Sequence, residues 1–364
     1  MLKVLLLGAA CALPASAEPP RVLAGLEASW NGPAAVSRRA RRRMERRRWP
    51  FDAEKAKAVW GHEAQLAELA ETSRALGDTF TFSIIGDAEP GRFWFERLFP
   101  PRGKKVFESQ MMEMRSRPHD FVLQLGDFVS RGTNKNYAEF IEKLERVADR
   151  PFFPLLGNHD RAKTYPKEGV DRSLYEATFP GGNPIDRNTD FSFDRGGYRF
   201  VCLDSADGAL DAVQLDWLDG VLDTELRTVV ATHIPPVYLK GRWVRPDEIP
   251  SGEFDEEAFE QKVGRGYFTG GAADFARIVA KHRVERVYVG HLHALAYAEF
   301  LGVRYVLSGG GGSPLYTFKK MPGRKVSHYI MVEAGPSGLK ETIVSYQGGE
   351  DSFAADDESL ALAD

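Results

Sequence analysis

The strongest constraint in this chain is a recurring punctuation. Short apolar runs each stop at a polar or ionisable side chain, four of them through a glycine. Residues 79–85 lead into Gly86-Asp87, 121–125 into Gly126-Asp127, and 152–156 into Gly157-Asn158-His159-Asp160. Residues 286–289 lead into Gly290-His291-Leu292-His293, and 228–232 end directly on His233. Runs of this length, rich in Phe, Val, Ile and Thr, read as strands. Between them, residues 104–117, 136–147 and 214–222 read as helices; in the last, Leu215, Leu218 and Leu222 recur at helical spacing. Gly196-Gly197 between two apolar segments reads as a hairpin turn. Two closing strands are expected within 326–346. The alternation predicts an α/β domain over 79–346 without internal repeats. Residues 18–78 read as a helical extension, 235–271 as a long insertion, and 347–364 as an acidic disordered tail.

In open α/β sheets the loops past the strand ends converge, and ligands bind there. Singly, a Gly-Asp after a strand is a turn or a helix cap, and a lone histidine is a satisfied structural group. Together, Asp87, Asp127, Asn158, His159, His233, His291 and His293 form an oxygen and nitrogen donor set without thiolate. Such a set suits Mn²⁺, Fe or Zn²⁺. Four of the eight histidines fall in these segments. His119, His282 and His328 read as structural, and His62 has no partner visible in the sequence. Tyr238, Trp243 and Arg245 are candidates to gate the insertion side. Phe93-Trp94-Phe95 is read as an aromatic wall over the site.

The ordered series Gly86-Asp87, Gly126-Asp127, Gly157-Asn158-His159-Asp160, His233 and Gly290-His291-Leu292-His293 resembles the calcineurin-like metallophosphoesterases. The resemblance runs from about residue 79 to 346. It implies a four-layer αββα sandwich and two divalent or mixed-valence metal ions (Mn, Fe or Zn). It also implies hydrolysis of phosphomonoesters or phosphodiesters by direct attack of a metal-bridging hydroxide. By motif position, Asp87 and His293 would bind the first ion, and Asp127 would bridge both. Asn158, His233 and His291 would bind the second. His159 would stand at the phosphoryl group, with Asp160 orienting it. Two features depart from the family pattern. Glu89 stands where a histidine ligand usually stands; it is taken as a carboxylate ligand, which favours a harder metal, the alternative being that it points away. Ser130 replaces the tyrosine of the purple acid phosphatase branch, which implies no tyrosinate colour.

The ends of the chain bear on location. Lys3, an apolar stretch and Ala15-Ser16-Ala17 read as a signal peptide over 1–17, which implies a periplasmic or secreted protein. A lipid anchor at Cys11 is disfavoured because Gly8 stands where such sites usually have leucine. After cleavage only Cys202 is left, read as a buried strand thiol, so a disulfide scaffold is excluded. No apolar run is long enough for a transmembrane helix. Residues 38–48 hold eight arginines, so the net charge of −4 conceals an acidic body. This Arg38–Arg48 block is a candidate dock for an anionic envelope surface. Nucleic acid is disfavoured as a partner because no aromatic interleaving accompanies it. A non-catalytic envelope-binding protein on the same fold, or a nuclease, remains the alternative reading.

Overall fold

The strands form because β-branched and aromatic residues alternate toward two apolar layers, so that both faces of each sheet are buried. The computed structural model describes residues 50–72, 79–88, 103–162, 171–181, 189–239, 242–244, 254–265, 267–315, 323–346 and 349–352. One six-stranded sheet has the order β14-β13-β12-β1-β2-β3. Its strands are β1 (Phe80–Ile85), β2 (Phe121–Gln124), β3 (Phe152–Pro154), β12 (His328–Gly335), β13 (Gly338–Ser345) and β14 (Gly349–Ser352). The other has the order β10-β11-β9-β6-β5-β4. It consists of β4 (Phe191–Arg195), β5 (Tyr198–Leu203), β6 (Arg227–Thr232), β9 (Arg286–Val289), β10 (Leu295–Phe300) and β11 (Val303–Ser308). A two-stranded ribbon, β7 (Tyr238–Leu239) and β8 (Arg242–Trp243), lies in the insertion.

The inner layer between the sheets is aromatic. Phe82 and Phe121 stack with centroids 5.2 Å apart and planes 5° apart. Phe121 meets Phe200 of the other sheet edge-on at 5.2 Å and 88°. Phe80, Phe153, Phe193 and Tyr288 complete this layer with Cys202, a free and buried thiol. Val201, Leu203 and Val230 point the other way, toward the helices Ala212–Val221, Glu256–Val263 and Ala272–Lys281. Ile85, Val122 and Phe152 likewise face the helices Ala53–Trp60, Gly103–Met114 and Asn134–Val147. The order helices, sheet, sheet, helices is the expected αββα sandwich. Caps set the helix starts. The Thr133 side chain accepts from the Asn136 N–H at 3.2 Å, and Asp211 with Gln214 forms a reciprocal capping box.

Within the first sheet β1, β2 and β3 run parallel, and within the second β5, β6, β9 and β11 do so. The carboxyl ends of the parallel strands therefore gather the punctuating residues at one rim.

Three expectations change. Helices Ala53–Trp60 and His62–Thr72 belong to the domain rather than to an extension: Ala56, Trp60 and Leu69 enter the two packed layers of the first sheet. The acidic tail begins later than residue 347, because β14 pairs with β13 from Ser345↔Gly349 to Thr342↔Ser352. Tyr238 is no gate; it is fully buried in the insertion core. The Trp243 side chain, Arg245, the 1–17 leader, Cys11, residues 38–48 and the tail beyond 352 lie outside the described residues. Among the described residues no helix is long and apolar enough to cross a membrane.

The histidines read as structural are so. His119 Nδ1 lies 3.1 Å from the Arg117 carbonyl, His282 Nε2 lies 2.7 Å from Asp219, and His328 sits between the Val326 carbonyl and Ser308. His62 is buried 3.9 Å from the Phe191 ring. Burial lowers its pKa to about 3 and that of His328 to about 4. Both are neutral when folded and protonate when unfolded, so stability falls as pH drops below about 6.5, until the folded values are reached. At pH 5 each contributes a loss of about 2 kcal/mol. Chemical denaturation between pH 7.5 and 5 should show this slope, and His62→Phe should flatten it. An unchanged slope in the variant would contradict the assignment.

Candidate metal centre

Asp87, Asp127 and His291 all have left-handed backbone, with φ of 54°, 55° and 71°. Each follows the glycine that ends its strand. The glycines allow close passage: a Cβ on Gly157 would stand 2.1 Å from the Asp127 backbone nitrogen, and one on Gly290 would stand 2.9 Å from Asp87 Oδ2. The next residue then turns its side chain back over the rim. A left-handed non-glycine residue costs on the order of 1–2 kcal/mol. Such conformations persist where surrounding bonds fix them.

Those bonds are visible. Asp160 Oδ2 accepts from the Asp127 and Gly157 N–H groups, each at 2.8 Å, and Oδ1 accepts from Val129 N–H at 2.9 Å. Its backbone carbonyl accepts from the buried Tyr137 hydroxyl at 2.9 Å. This corrects the expected role. Asp160 locks the loops after β2 and β3 to each other rather than orienting the His159 ring. That ring has Nδ1 at 3.7 Å from Asp127 Oδ2, while the His159 N–H donates to Asp127 Oδ1 at 2.7 Å.

Donor atoms of several of these residues lie close together at the strand ends. Ligand atoms of Asp127, His233 and His291 all lie within 4.8 Å of one another. His233 Nε2 is 3.3 Å from Asp127 Oδ2 and 3.1 Å from Asn158 Oδ1. His291 Nδ1 is 2.9 Å from the same Asn158 oxygen. On the neighbouring side, His293 Nε2 is 3.6 Å from Asp87 Oδ1, and Asp87 Oδ2 accepts from the His291 N–H at 2.9 Å. Glu89 and Phe93-Trp94-Phe95 lie outside the described residues.

The residues fit divalent cations. His233 Nδ1 faces the Leu125 carbonyl and His293 Nδ1 the Pro314 carbonyl, both at 2.7 Å. A carbonyl accepts only from N–H, so Nδ1 carries a proton in each, and Nε2 is the ring nitrogen left to face the donor set. Burial lowers the pKa of His291 to about 3 and of His293 to about 4. Both are therefore the neutral imidazoles that a cation requires. Burial opposes charge on His233 as well, but Asp127 raises its pKa to about 9. Burial likewise opposes charge on Asp127, yet His233 holds it ionised, well below the usual carboxylate range. A cation at His233 Nε2 takes the place of that proton.

Two residues at the rim were not singled out from the sequence. Arg161, next to the Asn158 motif, donates from Nε to the Asn158 carbonyl at 3.1 Å and from Nη1 to Asp207 at 3.0 Å. Tyr267 lies 5.0 Å from His291, ring centroid to ring centroid. Its position in the insertion between two ligand-bearing strands was the available signal.

The close passage at Gly157 yields a paired test. Gly157→Ala pushes a methyl into the Asp127 backbone and should abolish metal uptake by metal analysis. Gly220→Ala, on the helix Ala212–Val221 with open space around it, should stabilise by about 0.5 kcal/mol. Normal metal content in Gly157→Ala would overturn this account of the loop contact.

Comparison with known proteins bears on the family and the fold. The sequence pattern of the calcineurin-like phosphoesterases matches residues 85–295. A probable glycerophosphodiester phosphodiesterase GpdQ from Arcobacter nitrofigilis is 29% identical over 127 residues, 33% of this chain and 43% of that protein. The chain thus spans less than half the length of that relative. The purple acid phosphatase PPD1 from yellow lupin seeds superposes with a TM-score of 0.56 at 16% identity, covering 79% of this chain and 56% of that one. GAP50, the anchor in the inner membrane complex of Plasmodium, gives a TM-score of 0.44 at 13% identity, over 76% and 88% of the two chains. With its ordered donor motifs, its sandwich of two sheets and a family match over more than half its length, this chain belongs to the calcineurin-like phosphoesterases.

Proposed function

We propose that this protein hydrolyses phosphate esters, diesters before monoesters, at a centre of two divalent ions on the rim. The observation that carries the proposal is the approach of Asp127, His233 and His291 within 4.8 Å, with the proton of His233 pinned on Nδ1 by a carbonyl. The preference for diesters draws on the relative named as a probable glycerophosphodiester phosphodiesterase. In this reading Asp87 and His293 would hold one ion, Asn158, His233 and His291 would hold the other, and Asp127 would serve both. Divalent ions in such a pair supply Lewis acidity and lower the pKa of water near neutral pH.

The chain's own residues do the rest. Asp127 offers two anionic oxygens between like-charged cations. Asn158 adds an oxygen donor without adding charge. His159 holds its Nδ1 toward Asp127, and as the imidazolium it gives the proton on Nε2 to the departing oxygen and is left neutral. No side chain is needed as a nucleophile, so no covalent intermediate forms. The leader over residues 1–17 makes the periplasm or the exterior the working compartment.

Hydrolysis of bis(4-nitrophenyl) phosphate and 4-nitrophenyl phosphate, with Mn²⁺ or Zn²⁺ restored after chelation, tests the activity. Chelation should abolish turnover and the added ion should restore it. His159→Gln should lower kcat by about 10²–10⁴-fold with metal retained. Asp127→Asn should lose metal together with activity. Metal analysis giving the opposite pattern in the two variants would overturn the roles. A fully loaded protein inert on both esters would sink the proposal.

A further inference from the structure

Four large apolar side chains are exposed among the described residues: Val59, Met112, Val213 and Tyr267. The first three lie on helices. Tyr267 is 37% exposed at the rim and packs on a residue of the donor set. Its ring meets His291 at 74°, centroids 5.0 Å apart. His291 in turn meets His233 edge-on at 5.3 Å and 83°. Behind Tyr267, the buried Tyr238 ring supports it at 6.4 Å.

The backbone of Tyr267 is held as well. Thr269 donates to the Gly208 carbonyl from its N–H at 2.5 Å and from its hydroxyl at 3.0 Å. Gly208 has φ +73°, and a Cβ there would stand 2.4 Å from the Tyr267 carbonyl oxygen. An aromatic ring with two rotatable bonds, clamped in this way, presents a fixed surface at little entropic cost. Exposure of such a ring to water is unfavourable by itself. Placed beside a metal ligand, it offers that surface to whatever the phosphoryl group carries.

We propose that Tyr267 is the wall of a leaving-group subsite that selects phosphate esters bearing a planar aromatic substituent, aryl or nucleoside. The proposal rests on the phosphoesterase reading above and names the substrate class of that same site. A planar group has a face to lay on the ring, whereas a short alkyl group gains only edge contact. One aromatic contact is worth about a tenfold preference.

Calorimetric titration of the metal-loaded protein with phenylphosphonate and with methylphosphonate reads the subsite without turnover. The wild type should prefer phenylphosphonate. Tyr267→Ala should cut that preference about 10-fold, Tyr267→Phe should keep it, and Tyr267→Leu, which has bulk but no ring, should not. In turnover, the ratio of kcat/KM for phenyl over ethyl phosphate esters should fall by about 10-fold in Tyr267→Ala. Equal weakening of both phosphonates would show that Tyr267 merely supports His291 and would overturn the subsite. So would a wild type without preference, or a Tyr267→Ala variant that keeps it. Preferential phenylphosphonate binding by a loaded wild type that hydrolyses no ester would uphold the subsite and defeat the phosphoesterase reading alone.

Discussion

The buried carboxylate of Asp160 is the interaction on which the rest of the site hangs. It takes the N–H groups of Asp127, Val129 and Gly157, and so closes the loop after β2 onto the loop after β3. Charge-assisted bonds of this kind contribute about 1.5–3 kcal/mol each. Removal of the acceptor would cost more than the bonds, because three buried donors would be left without partners. The approach it enforces is close enough that Gly157 has no room for a side chain. Asp127 is thereby fixed in a left-handed conformation that its own backbone does not favour. Strain at the centre is balanced by hydrogen bonds one shell away, on a platform stiffened by the interleaved phenylalanines of the inner layer.

The same division of labour holds on the histidine side. His233 and His293 are aimed by carbonyls from elements distant in sequence, Leu125 at the end of β2 and Pro314 beyond β11. Each contact does two things at once, fixing the ring plane and fixing the tautomer. His291 differs: its ring is held by Asn158 and Tyr267, and its backbone N–H by Asp87. The rim is therefore a mesh in which the candidate ligand side chains serve as one another's supports. Alteration of one ligand is expected to displace its neighbours, so ligand substitutions here should not be additive.

Much of this was legible because the signals are local. A strand, a glycine and a ligand residue lie within a few positions of one another, and their order along the chain encodes the order of strand ends at the rim. The two-residue turn Gly196-Gly197 follows from the same short-range chemistry. What was misread depends on partners far away. Asp160 looks like a companion of His159 because it is adjacent in sequence, yet its oxygens are taken by backbone donors that the sequence does not display. Tyr238 and Tyr267 are both aromatic residues of one insertion; packing buries the first and leaves the second at the rim. Helices Ala53–Trp60 and His62–Thr72 read as an extension because the residues they cover sit beyond position 80. Gln65, for example, accepts from the Phe152 N–H at 2.6 Å. The strand Gly349–Ser352 was hidden by its charge, since an edge strand needs a neighbour's open hydrogen bonds more than it needs apolar residues.

Charge balance at the rim gives the donor set its direction. Asp87, Asp127 and Asp160 are all buried, and burial of carboxylates is costly unless positive charge lies near. Among the described residues the basic side chains nearest to Asp87 and Asp127 are histidines. His291 and His293 are held neutral. Arg161 is turned to Asp207, which Arg172 also engages at 3.1 Å, while Arg172 reaches on to Asp204. In that run of alternating charges each arginine faces a carboxylate outside the donor set. Against the effect of burial, Asp127 raises the pKa of His233 and so favours its protonated form. Burial and the neighbouring Asp127 push the Asp160 carboxyl pKa up, although its three N–H donors call for the ionised form. Cations held at the rim would offset Asp87 and Asp127 and take the place of the proton on His233, and their charge would favour the ionised form of Asp160 as well.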